Sequence, residues 1–174
     1  QLKGINLHHQ IKISEKVIGA DRPTFLIAEA GVNHNGNLEL AKKLIVEAKK
    51  AKADCVKFQT FKAERVATMS APKAKYQLNT TDPGESQIDM LKKLELSIEN
   101  HRVLIDFARN EGIIFMSTPY NKEDVDLLDE LGVEAFKLAS ISCVEPPLLK
   151  HVAKKNKPVI LSTGMASLAD VDQA

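Results

Sequence analysis

The chain has 174 residues, enough for one domain with a real core, and its 24 Lys and Arg against 23 Asp and Glu leave a formal charge of +1 that points to neither a nucleic-acid nor a membrane partner. Its two cysteines, Cys55 and Cys143, have no metal-ligand spacing and are too few for a disulfide framework, so a reducing, cytoplasmic setting is expected. No apolar run approaches the ~20 residues that span a bilayer, and the first residues lack the charged and apolar regions of a signal peptide.

Residues 1–23 are predicted to form a small extension ahead of the main fold. His8 and His9 are neighbours that an extended segment points to opposite faces, and they are expected at the surface. Ile11 to Ile18 alternates apolar and polar residues around Ser14, Glu15 and Lys16, as a hairpin does. Phe25 to Ala28 is apolar throughout and predicts a short strand buried on both faces, with Glu29 at its carboxyl end. Asn37 then caps a helix whose face is Ala41, Leu44, Ile45, Ala48 and Ala51, and the chain returns along a second strand, Asp54 to Thr60. From Phe61 to Ser97 the pattern loosens around Pro72, Asn79, Thr80, Thr81, Asp82, Pro83 and Gly84. Ile88, Leu91 and Leu94 predict a short helix inside this long insertion, which is expected to cover a site.

Ser97 begins a helix that Gly112 ends, and Ile113 to Met116 is a third strand running into Ser117, Thr118 and Pro119. Asn121 caps the next helix, Ala135 to Ala139 is a fourth strand ending at Ser140, and Pro146 with Pro147 fits the first turn of another helix. Pro158 to Leu161 is a fifth strand ending in Ser162, Thr163 and Gly164, and Ser167 opens a last helix. Strand and helix alternate about five times, which predicts an α/β fold with parallel strands. A doubly wound sheet shares that order. Every strand, however, ends in a hydroxyl, carboxylate or amide, and in a barrel those ends converge on one mouth. A complete barrel takes ~250 residues. Residues 24–174 therefore read as the amino-terminal part of a TIM-type (β/α) barrel, about five units, truncated before the later strands.

Lys57 and Lys137 lie inside apolar strands, and two lysines directed into one interior suggest a bound anion. Ser117, Thr118, Ser140 and Ser162 add hydroxyls at the same rim, a cradle for phosphate plus carboxylate. The plainer alternative is that each lysine pairs with an internal acid such as Glu29 or extends out of the barrel floor, and that Glu29 only accepts loop N–H bonds. His34 falls in the turn after the first strand, and His101 and His151 fall on helices, where solvated side chains are expected.

The ordered runs FLIAEAGVNHNG, VKFQTFKA, APKAKYQLNTT, ESQIDMLKKLEL, STP, FKLAS and ILSTGMAS, from Phe25 to the last residue, resemble the sialic acid synthase family, with the insertion most similar to bacterial N-acetylneuraminate and N,N'-diacetyllegionaminate synthases. The resemblance implies condensation of phosphoenolpyruvate with the open-chain aldehyde of a 2-acetamido sugar, N-acetylmannosamine or 2,4-diacetamido-2,4,6-trideoxymannose, with release of phosphate. It implies that Lys57, Thr118, Lys137, Ser140 and Ser162 hold phosphoenolpyruvate and that Glu29, Lys57 and Gln59 act at the reacting carbons. It also implies a divalent metal, Mn²⁺ or Mg²⁺, held by two histidines from later strands outside this chain, and a homodimer in which a further C-terminal domain caps the partner's site. The fragment alone is then expected to be inactive. One departure stands out: where the family follows the fourth-strand hydroxyl with Gly-Glu, this chain has Ile141 and Ser142. The competing readings are a Schiff-base barrel aldolase using Lys57 or Lys137, and a non-catalytic half barrel that binds phosphate.

Overall fold

The computed structural model of the chain describes residues 10–68, 73 and 84–174. The expectations for His8, His9, Pro72 and the turn residues Asn79, Thr80, Thr81, Asp82 and Pro83 lie outside the described residues. Ile11–Ile13 (β1) and Lys16–Ile18 (β2) pair antiparallel. The repeating part follows as β3 (Ile27–Gly31), α1 (Leu38–Lys50), β4 (Cys55–Thr60), the short α2 (Ala63–Val66) and α3 (Gln87–Lys92), α4 (Ile98–Glu111) and β5 (Ile114–Pro119). It continues with α5 (Lys122–Glu130), β6 (Phe136–Leu138), a 3₁₀ turn (Ser140–Val144), α6 (Pro146–Ala153), β7 (Val159–Leu161) and α7 (Leu168–Gln173).

Local chemistry sets these boundaries. Asn37, Ser97, Asn121 and Ser167 each accept a backbone N–H of the first helical turn, satisfying donors the helix itself cannot. Gly112 ends α4 in the left-handed region at φ 68°. Lys49 reaches across from α1 to donate to its carbonyl at 2.7 Å.

β3, β4 and β5 form one parallel sheet in that order, and β6 pairs parallel with β7. β5 and β6 lie against each other without a hydrogen-bonded ladder, and among the described residues no barrel closes. On the helix side the core joins Val56, Phe58, Phe115, Phe136 and Leu138 to Ile45, Leu104, Val125 and Leu148. On the other face of the strands a smaller cluster of Ile13, Cys55, Met116 and Ala135 closes the amino-terminal end, with Ile27, Ile114 and Ile160 packed against it.

One predicted strand is corrected. The strand expected to be buried on both faces over Phe25 to Ala28 runs instead from Ile27 to Gly31, Leu26 is 50% exposed, and Glu29 lies within the strand and not beyond it. The reason is position: among the described residues β3 is the edge of its sheet, and no strand there covers its outer side.

Candidate functional site

In a strand successive side chains alternate between faces, so register decides which polar groups meet. Glu29 is opposite Lys57, and Lys57 is opposite Met116, while Gln59 is opposite Thr118. This face is apolar at its amino-terminal level, where Ile27, Cys55 and Ile114 align, and polar toward the carboxyl ends. Burial pushes the Cys55 thiol up to about 12, a measure of how dry that lower level is.

Lys57, buried in mid-strand, sets its ammonium 2.6 Å from Glu29 Oε2 and donates to Thr118 Oγ1 at 3.3 Å. Lys137 donates to the Leu138 carbonyl at 2.9 Å and to Ser162 Oγ on the neighbouring strand. Burial, then repulsion from Lys57, holds the Lys137 ammonium below the usual lysine range, with Glu29 acting the other way. The structure thus brings Glu29, Lys57, Gln59, Thr118, Lys137 and Ser162 to the carboxyl ends of five strands. Among the described residues two ammonium groups there, those of Lys57 and Lys137, lie near one carboxylate, that of Glu29. Ser140 opens the 3₁₀ turn after β6 and is half-buried, while the neighbouring Ser142 is buried and donates its N–H to the Ala139 carbonyl.

A bulge shapes the rim. The β3–β4 register shifts between Glu29 and Gly31, and Gly31 has φ 54°. A Cβ at residue 31 would lie 3.2 Å from Glu29 Oε1 and 3.7 Å from Gln59 Nε2, so glycine lets the carboxylate and the amide approach one another.

Several rim residues escape sequence reasoning. Tyr120 donates its O–H to Gln59 Oε1 at 3.2 Å and stands edge-on to Phe61. Its backbone N–H donates to Asp124, whose carboxyl burial lifts to about 6 and which lies 3.9 Å from Arg65. The position of Tyr120 immediately after the strand-ending STP was the available signal. The expectation that His101 and His151 are solvated is corrected for His101, which is 1% exposed and bonded to Thr60 and Ser97, because α4 turns that face onto the strands. His151 is half-buried and pairs with Asp126 at 2.7 Å. His34 is fully buried, with Nδ1 accepting the Gly36 N–H at 3.0 Å.

Among the described residues no three His, Cys, Asp or Glu side chains converge as a metal site would require. No helix among them is long and apolar enough to cross a membrane. A cleft of about 520 Å³ opens at the opposite ends of the strands, lined by Lys16, Asp54, Arg109 and Glu134 among others, and it gathers none of the groups above.

The sequence profile of the NeuB family matches residues 44–174. The chain is 52% identical over 153 residues to an N,N'-diacetyllegionaminic acid synthase of Campylobacter jejuni, covering 88% of this chain and 46% of that protein. It is 35% identical over 156 residues to the human N-acetylneuraminate-9-phosphate synthase, covering 90% and 43%. The crystal structure of an N-acetylneuraminic acid synthetase from Leptospira borgpetersenii superposes with a TM-score of 0.81 at 31% identity, over 95% of this chain and 53% of that one. The chain therefore spans about half the length, or somewhat less, of the proteins it matches.

Proposed function

The chain belongs to the NeuB family, and from that premise we propose that it is the amino-terminal part of a synthase that condenses phosphoenolpyruvate with an N-acetylated amino sugar to give a nonulosonic acid and phosphate. Residues 24–174 then form the first arc of a TIM-type barrel and residues 1–23 an amino-terminal extension. An apolar cleft of about 470 Å³ between the β1–β2 hairpin and the free edges of β3 and β7, lined by Ile11, Phe25, Ile27 and Ile160, has the chemistry to receive further strands. The complete protein would act as a cytoplasmic homodimer.

The observation that carries the reading is the pair of strand lysines facing one carboxylate. In this assignment Lys57, Thr118, Lys137, Ser140 and Ser162 hold phosphoenolpyruvate, with the ammonium groups neutralising its phosphate and carboxylate and stabilising the phosphate that departs. Carbon 3 of phosphoenolpyruvate bonds to the sugar's aldehyde carbon, water adds at carbon 2, and the bond from carbon 2 to the phosphate oxygen breaks. Glu29, beside Lys57, orients the water or takes its proton, and Gln59 faces the sugar. The reaction class calls for Mn²⁺ or Mg²⁺. Among the described residues none fit such an ion, so its ligands would come from outside them and no step here is routed through it.

The test is to assay the longer protein with phosphoenolpyruvate and either N-acetylmannosamine or 2,4-diacetamido-2,4,6-trideoxymannose, following phosphate and product mass. Release of one phosphate per sugar consumed is expected, and no consumption of phosphoenolpyruvate with any acetamido sugar would refute the proposal. One observation favours a second reading as a Schiff-base aldolase: the lowered Lys137 ammonium is closer to the free amine such chemistry needs. Borohydride trapping of pyruvate on Lys137 would support that route, and its absence is expected.

A further inference from the structure

Behind the mouth, on the helix-facing side of the strands, a second polar layer is buried in the core. Thr60 and Ser117 are next in sequence to Gln59 and Thr118, and alternation turns them away from the mouth. Their hydroxyl oxygens lie 2.7 Å apart, and Thr60 Oγ1 lies 2.8 Å from His101 Nε2. His101 Nδ1 lies 2.9 Å from the Ser97 carbonyl. All three side chains are at most 3% exposed.

The direction of these bonds follows from what each atom can do. A carbonyl only accepts, so His101 carries its proton on Nδ1 and donates it to Ser97. Nε2 is then the acceptor, Thr60 donates to it, and Ser117 donates to Thr60. The imidazole is neutral in this arrangement, in keeping with the burial that lowers its proton affinity. The relay also sits where the backbone ladder runs out. The last β4–β5 rung pairs Thr60 with Pro119, and proline has no N–H to give. At this end of the ladder the hydroxyl pair adds a side-chain tie, joining Thr60 of the last rung to Ser117 of the rung with Phe58.

We infer that His101 is a positioning residue for the mouth: through Thr60 and Ser117 it locks the carboxyl ends of β4 and β5 together and so fixes Gln59 and Thr118. The inference deepens the function proposed above and rests on it only for the ligand. A hydroxyl or imidazole buried here merely to fill space would leave the geometry of Gln59 indifferent to the relay. A neutral His101 with a protonated Nε2 would equally be inconsistent with it.

The test uses the longer protein and two readouts. In the wild type, long-range ¹H–¹⁵N imidazole spectra should show His101 as the Nδ1–H tautomer. In Thr60→Val and His101→Phe the Gln59 side-chain amide signals should move or broaden while those of α6 stay in place, and His101→Asn, which keeps an acceptor, should restore them in part. Phosphoenolpyruvate titrated against the same variants should bind about three- to tenfold more weakly to His101→Phe than to the wild type, the loss expected of one hydrogen-bonded link. Unchanged Gln59 signals in Thr60→Val, or an Nε2–H tautomer, would overturn the inference. Should His101→Phe fail to fold, Thr60→Val and Ser117→Ala carry the test. Should the wild type fail to bind phosphoenolpyruvate, the functional proposal falls while the Gln59 signals still decide this one.

Discussion

Replacing Lys57 by Met separates its proposed role in binding from its role in stability. In the folded chain the ammonium is buried and bonded to Glu29 at 2.6 Å and to Thr118 at 3.3 Å, whereas the Glu29 side chain is 56% exposed. Removing the ammonium therefore leaves Glu29 to water, and the Met side chain refills the volume of the lysine stem, so the thermal midpoint should change little. Anion binding should respond strongly. A hydrogen bond to a charged group contributes about 1.5–3 kcal/mol, and each 1.4 kcal/mol is tenfold, so phosphoenolpyruvate should bind about 10- to 100-fold more weakly. Glu29→Gln should act in the opposite sense, because the carboxylate competes for the same ammonium: affinity rises by about threefold or more while turnover in the longer protein falls. Titration calorimetry on the two variants and their combination gives both signs. Wild-type affinity in Lys57→Met would refute the reasoning, and so would a Glu29→Gln variant weakened as much as Lys57→Met, since Glu29 would then be holding the lysine in place.

Burial, followed by repulsion from His101, lowers the proton affinity of His34, and burial lowers that of His101, with Lys62 adding to the effect. The unfolded chain therefore binds more protons as pH falls below 6.5, and stability should be complete above that pH and decline toward the folded values, seen as falling urea midpoints at lower pH. Asp124 has the reverse sign: its carboxyl is raised from 3.8 to about 6, so its contribution is present below 3.8 and lost as pH rises through 6. Asp124→Asn should accordingly gain about 1–3 kcal/mol at pH 7.5 and make the rise in stability above pH 5 steeper. Gly36→Ala places a Cβ 2.2 Å from the Lys93 backbone oxygen at φ 72°, and should destabilise by about 2–4 kcal/mol in urea titrations.

What the sequence disclosed was mostly local. Caps at Asn37, Ser97, Asn121 and Ser167 involve partners two or three residues away, and so were legible from residue type. The strand lysines were legible too, because a charge inside an apolar run is conspicuous at any register. The pairing of Lys57 with Glu29 was legible as the plainer alternative for a strand lysine, and regular register delivers it, the bulge coming only after Glu29. The other long-range contacts were not legible. Tyr120 and Gln59 are 61 positions apart, and His101 and Thr60 are 41 apart. His101 was misjudged for a physical reason: a histidine on a helix reads as exposed until the opposing strand is known to offer a hydroxyl donor. The exposed Leu26 was misjudged because an apolar run signals burial and says nothing of whether its strand stands at an edge.

The β1–β2 hairpin lies at the far end of the strands from the two lysines and closes the apolar level beneath them. Lys16 of the hairpin is tied to Asp54 at 2.8 Å, and Asp54 in turn accepts the Leu26 N–H at 2.9 Å, so the hairpin is clamped where β3 and β4 begin. Ile13, 1% exposed, plugs the space beneath Cys55 and Met116. A chain shortened ahead of Asp21 should lose that plug and admit water from below toward Lys57. In the higher dielectric an ammonium attracts a phosphate less, so phosphoenolpyruvate should bind more weakly to the shortened chain in titration calorimetry.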